Sequence, residues 1–137
     1  MITGIAHVNI LVPPGTLPQA EDFYSSTLGL VSAPVPHLQK GTLLWFNLTP
    51  TGSQQIHVAL GQNSDLDSSR HACLRVGSAE DLLVLQRRVW DHHVRGGEAA
   101  PLAVDRPGDQ NSGAQGVEYP TRFFARDFAG NRLEFTL

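Results

Sequence analysis

Residues 70–76 read RHACLRV, a short stretch in which Ala72, Leu74 and Val76 fall on one side of an extended chain and His71, Cys73 and Arg75 on the other. Strict alternation of this kind marks a strand with one buried and one open face. The stretch GIAHVNILV at residues 4–12 has the same design: Ala6, Val8, Ile10 and Val12 alternate with Ile5, His7, Asn9 and Leu11. In each strand a histidine sits on the less apolar face. Two such strands about half a chain apart suggest that the sequence is built from a repeated unit.

Reading outward supports the repeat. After the first strand, Pro13, Pro14 and Gly15 break the chain, and Thr16 with Gln19 has the form of a capping box, with Pro18 in the first turn. The helix that follows places Ala20, Phe23, Tyr24, Thr27 and Leu28 on one face and stops at Gly29. Strands are expected at 30–35, 42–48 and 55–60, with Gln55, His57 and Ala59 opposite Ile56, Val58 and Leu60. A polar linker, 61–69, leads into the second unit. There, Ser78 and Asp81 start a helix with Leu82, Leu85, Val89 and Trp90 on its apolar face, ended by Gly96 and Gly97. Residues 98–120 read as irregular, with one strand near 102–104 and a lid-like loop, PGDQNSGAQG, at 107–116. Strands at 121–126 and 132–137 close the chain around the turn Asp127 to Asn131.

The expectation is an α+β fold of two βαβββ modules related by an internal pseudo-twofold. They would form a cupped mixed sheet with helices on the outer face, as a single domain of residues 1–137 with modules at about 1–62 and 68–137.

Laying one module on the other pairs His7 with His71 and, with one gap after Gly52 and Gly130, His57 with Glu134. Each residue alone has an ordinary explanation, since strand histidines are commonly hydrogen-bonded or solvated. Together they make four donors on matching strand faces, and imidazole and carboxylate are the usual ligands of Zn, Mn, Ni, Co or Fe(II). A buried Glu134 also needs a compensating positive charge.

Composition narrows the alternatives. A formal charge of −3 leaves no basic stripe for nucleic acid. No apolar run approaches the ~18 residues needed to span a bilayer. The lone Cys73 cannot form an internal disulfide, and MITGIAHVNILV has no basic leader, so a cytoplasmic setting is expected.

Four strand arginines, Arg75, Arg122, Arg126 and Arg132, could hold a substrate carboxylate or phosphate, and Arg75 is preferred because it shares the face of His71. Asn9 and Cys73 are further candidate substrate contacts, with Cys73 otherwise a small buried filler. His92 and His93 at a helix C-terminus read as structural. Trp45 and Phe46 read as strand packing, with one of them directed to the open face.

The stretches GIAHVNILV, EDFYSSTLGL, RHACLRV and DFAGNRLEF resemble the vicinal oxygen chelate superfamily, which includes glyoxalases, epimerases, fosfomycin-resistance thiol transferases, extradiol dioxygenases and bleomycin-resistance binding proteins. The closing motif, usually Asp-Pro-x-Gly-Asn-x-x-Glu, is matched at Asp127, Gly130, Asn131 and Glu134, with Phe128 in place of proline. The resemblance implies a divalent metal held by His7, His71, His57 and Glu134. His57 stands where the family commonly has Glu or Gln, and Gln55 is the alternative on the same strand face. It further implies a Lewis-acid enzyme acting on vicinal oxygens of a small molecule, of the isomerase, epimerase, lyase or thiol-transfer type. Glu134 would be both ligand and candidate general base, and the protein a homodimer. An extradiol Fe(II) dioxygenase and a non-catalytic small-molecule binding protein are the alternatives.

Overall fold

A computed structural model describes residues 1–63, 66–114 and 121–137. Two compact units are present, Met1–Ser64 and Asp65–Leu137. The first contains β1 (His7–Val12), α1 (Leu17–Glu21), β2 (Val31–Ala33), β3 (Leu43–Asn47) and β4 (Gln55–Leu60). The second contains β5 (His71–Arg75), α2 (Ala79–Arg95), β6 (Ala103–Val104), β7 (Arg122–Arg126) and β8 (Arg132–Thr136).

Each unit builds one four-stranded mixed sheet, ordered β1-β4-β3-β2 in the first and β5-β8-β7-β6 in the second. In both, the first strand runs parallel to the last and the other neighbours are antiparallel. The register makes the repeat exact at the residues of interest. In the first unit His7 pairs with Gln55 and Asn9 with His57, and in the second His71 pairs with Arg132 and Cys73 with Glu134. One strand further, Trp45 opposes His57 and Asn47 opposes Gln55, while Phe124 opposes Glu134 and Arg126 opposes Arg132.

The helices cover the other sheet faces. Beyond Glu21, α1 widens into a π-helical turn at Asp22–Thr27, where the Leu28 amide bonds to the Phe23 carbonyl. The expected stripe of Ala20, Phe23, Tyr24, Thr27 and Leu28 is buried, with Tyr24 stacked on Phe46. Thr16 differs from its expected role. Its hydroxyl donates back to the Pro13 carbonyl and caps no helix amide, because Pro18 removes one of the amides it would have met. Ser78 does cap α2, accepting from the Asp81 amide at 3.1 Å and donating to the Asp81 carboxylate at 2.7 Å. In the second unit Leu82, Val89 and His92 of α2 are buried, as are Phe123, Ala125, Leu133 and Phe135 on the inner sheet face. Among the described residues, no helix is long and apolar enough to cross a membrane. The loop expected at 107–116 extends into 115–120, which lie outside the described residues.

Candidate metal-binding site

The turn that aims β8 is built around Asp127, which is fully buried. Its Oδ1 accepts from the amides of Ala129 and Asn131 at 2.9 and 2.8 Å, and its Oδ2 accepts from the Asn131 side chain at 2.8 Å. Gly130 adopts φ +84°, a backbone conformation that favours glycine. The turn therefore fixes the phase of β8: Leu133 and Phe135 go to the helix side and Glu134 to the opposite face.

There Glu134 meets His71 and Arg122. His71 Nε2 lies 2.8 Å from Glu134 Oε2, and Arg122 Nη1 donates to Oε1 at 3.1 Å. The two side chains of the Arg122–Glu134 pair are 7% and 8% exposed, so this is a buried ion pair. Burial by itself pushes the Glu134 carboxyl up, but hydrogen bonds from His71 and Arg122, the charge of Arg122 and the Cys73 thiol together hold it below its ordinary value. Cys73 is exposed on this face, not a buried filler, because its strand turns Ala72 and Leu74 toward the helix. Burial first, and then Glu134, push its thiol up, so it is not an activated nucleophile.

The other ring nitrogen of His71, Nδ1, is 2.6 Å from the Ser69 carbonyl, an atom that only accepts. Nδ1 therefore carries a proton. Nε2 faces a carboxylate, so it must either carry a second proton or share a cation with Glu134. Metal-bound histidines characteristically donate their far N–H to a backbone carbonyl. Two ligands about 2.0–2.1 Å from one ion lie roughly 3 Å apart. His71 and Glu134 fit a metal ion on both counts.

The first unit arranges its candidates differently. The His57 ring is sandwiched between Trp45, at 4.3 Å and 3°, and His7, at 4.0 Å and 10°. Gln55 donates through Nε2 to Asn47 Oδ1 at 2.8 Å, which leaves its Oε1 facing His57 Nε2 at 3.0 Å. An amide oxygen cannot donate, so His57 Nε2 holds the proton and has no lone pair to give. Burial, and then the charge of His7, keep the His57 imidazole below its ordinary value, which favours the neutral ring. In this tautomer the lone pair lies on Nδ1, so a ligand role for His57 would use that nitrogen and not Nε2. Gln55 has both amide atoms in hydrogen bonds, to Asn47 and to His57.

His7 is exposed on β1, with Asn9 exposed two residues on. Arg75 is exposed on the face of His71, opposite Thr136. Within each unit the donors stand as a pair, and among the described residues no group of three or more is gathered. Sequence reasoning underrated two contributors, Arg122 as the partner of Glu134 and Trp45 as the platform for His57. Their signal was positional, since each lies on the site face of the strand next to the residue it contacts. His92 is buried in the helix and His93 bonds the Pro101 carbonyl at 2.7 Å, consistent with structural roles.

Solved structures place this architecture. A protein of Bacillus anthracis described as a glyoxalase family member superposes with a TM-score of 0.68 at 25% identity, covering 98% of this chain and 94% of that one. FosX, a fosfomycin resistance protein of Listeria monocytogenes, gives a TM-score of 0.70 at 13% identity over 99% of this chain and 91% of its own. The fold is that of the vicinal oxygen chelate superfamily. A variant of the Listeria protein with the same vicinal oxygen chelate fold was crystallised with Mn(II) and 1S,2S-dihydroxypropylphosphonic acid (TM-score 0.68, 12% identity, 99% and 90% coverage). No family model matches the sequence, and no curated protein does.

Proposed function

We infer that the chain is a divalent-metal enzyme whose ion, one of Mn, Zn, Ni, Co or Fe(II), is held by His7, His71 and Glu134. The observation that carries this reading is the His71 side chain, with its Nδ1 proton committed to Ser69 and its Nε2 set 2.8 Å from a carboxylate. The Mn(II)-bound Listeria neighbour supports it by fold. When bound, the ion would supply Lewis-acid charge for two neighbouring oxygens of a small substrate.

The chain's own residues do the rest. Ser69 fixes the His71 ring, and Arg122 holds Glu134 by one oxygen, leaving Oε2 for the ion. A carboxylate held below its ordinary value is a weak base near neutrality, which favours Glu134 as ligand over Glu134 as proton acceptor. Chemistry of the isomerase, epimerase, lyase or thiol-transfer type on a small molecule, performed by a homodimer, is the form of the reading we adopt. A monomeric sedimentation profile at micromolar concentration would overturn the dimer.

One observation favours a second reading. His57 Nε2 is held by Gln55, and a set without His57 is two histidines and one carboxylate, the composition of non-haem Fe(II) oxygenases. Oxygen uptake with catechols on the Fe(II)-loaded protein would select that chemistry.

The test is elemental analysis of wild type beside His71→Ala. About one transition metal per chain in wild type, lost in His71→Ala, is the expected result. Protein that stays metal-free after incubation with Mn, Zn, Ni, Co and Fe(II) would replace the enzyme reading with that of a non-catalytic small-molecule binding protein.

A further inference from the structure

Arg126 and Arg132 stand directly opposite each other on β7 and β8, on the face that carries Glu134. Like charges at a cross-strand pair, with Cβ atoms about 4.5–5.5 Å apart, destabilise a sheet unless something lies between them. The equivalent positions in the first unit are Asn47 and Gln55, whose amides bond each other at 2.8 Å. Two guanidiniums cannot do this, because each is purely a donor.

Their surroundings leave part of the charge unanswered. Arg126 gives one Nη to the Gly130 carbonyl at 3.0 Å and the other to the Ser68 carbonyl at 2.9 Å, both neutral acceptors. Arg132 lies over the Phe124 ring at 4.3 Å, a contact that fixes its plane and uses none of its N–H groups. Among the described residues neither has a carboxylate partner. Both line a cleft of about 330 Å³, with Ala103, Val104, Ala125 and Phe124 as its apolar lining and Ser112 at its edge. Asp105 also lines it, but its Oδ2 already accepts from the amides of Phe124 at 2.8 Å and Ser112 at 3.0 Å. Two cations thus share the cleft with one carboxylate, which can offset at most one of the two charges.

We propose that this cleft is an oxyanion subsite, in which Arg126 and Arg132 receive a carboxylate, phosphate or phosphonate group of a small ligand. The Phe124 ring that orients Arg132 also meets His71 edge-on at 5.5 Å, which joins the cleft to the His71–Glu134 pair within the same unit. As the headgroup site of the substrate, the subsite rests on the metalloenzyme reading and makes the substrate an acid. As a site for an oxyanion, it stands on the second unit alone.

The experiment is calorimetric titration of EDTA-treated protein with methylphosphonate, inorganic phosphate and acetate at constant ionic strength. The variants are Arg132→Gln, Arg132→Lys and Arg126→Gln, with Arg87→Gln on the outer helix as control. Saturable binding of at least one anion is expected, weakened tenfold or more by Arg132→Gln and by Arg126→Gln, partly restored in Arg132→Lys, and unchanged by Arg87→Gln. Preference for methylphosphonate and phosphate assigns a tetrahedral group, and preference for acetate a carboxylate. Absence of saturable binding, or equal affinity in wild type and a folded Arg132→Gln protein, overturns the proposal. Since metal is removed throughout, the result is independent of metal content, and either reading can fail without the other.

Discussion

Arg122→Leu should cost the protein about 3 kcal/mol, and the loss should be pH-dependent. The substitution removes the donor 3.1 Å from Glu134 Oε1 in a pair whose side chains are 7% and 8% exposed. Stranding one member of a buried ion pair costs roughly 3–5 kcal/mol. His71 and Cys73 remain beside Glu134, so the lower end applies. With a urea m-value of about 2 kcal/mol/M, the midpoint should fall by about 1.5 M at pH 7.

The folded-state pKa of Glu134 is lowered, so its contribution is fully present above the ordinary carboxylate pKa of about 4.3 and disappears as pH falls through the lowered value. Losing Arg122 lets the carboxyl titrate closer to the ordinary value. The gap between wild type and variant must therefore narrow in acid. Arg122 also bonds Asn111 Oδ1 at 3.3 Å and the Ala114 carbonyl, and a double-mutant cycle with Glu134→Leu in EDTA isolates the ion-pair contribution. A gap below about 1 kcal/mol, as for a surface pair, or one that does not change between pH 7 and pH 3, would refute the reasoning.

Three further outcomes are expected. Asp127→Ala leaves two turn amides and the Asn131 side chain without their acceptor and should cost about 3 kcal/mol in urea denaturation, whereas Asp127→Asn, which keeps Oδ1, should cost about 1; equal losses would contradict the turn's role. His57→Gln should retain the metal stoichiometry of wild type by elemental analysis, and loss of the ion to the extent seen in His71→Ala would restore His57 as a ligand. Phe46→Ala, at a fully buried position stacked on Tyr24, should destabilise by about 3–5 kcal/mol, and a loss under 1 would mean that the core of the first unit is misassigned.

Much of this architecture was legible because a period of two forces a choice of faces. Once Val8, Ile10 and Val12 go to one side, His7 and Asn9 must go to the other, and the same holds for His71 and Cys73 around Ala72 and Leu74. The turn at Asp127 was legible because aspartate, glycine and asparagine at that spacing satisfy one another locally. Thr16 was misleading, since the capping pattern does not reveal that a neighbouring proline removes an amide. Side-chain partners across strands were harder still. Nothing local to Trp45 indicates that it will lie on His57, because that contact depends on the register between β3 and β4, which the sequence encodes only through the turn joining them. Arg122 reaches Glu134 from the neighbouring strand, which periodicity along a single strand cannot reveal.

The repeated register allows the two units to be compared position by position, and the comparison explains why they cannot play the same role. His7 matches His71, His57 matches Glu134, Trp45 matches Phe124, and the pair Asn47 and Gln55 matches Arg126 and Arg132. In the first unit these positions carry no carboxylate or guanidinium: two amides bond each other, one of them bonds His57, and three rings stack, while the buried Trp45 Nε1 has no hydrogen-bond partner among the described residues. His7 is the member of that stack left exposed. In the second unit the same lattice holds one carboxylate and two arginines, with an aromatic ring between the histidine and one guanidinium. Such a face has more donors and more positive charge than its own acceptors can absorb. A face left with unanswered positive charge is suited to binding an acid. If the chain is an enzyme, substrate charge is therefore read by the second unit, and substitutions at Asn47 or Gln55 should alter stability more than ligand preference, with the reverse at Arg126 and Arg132.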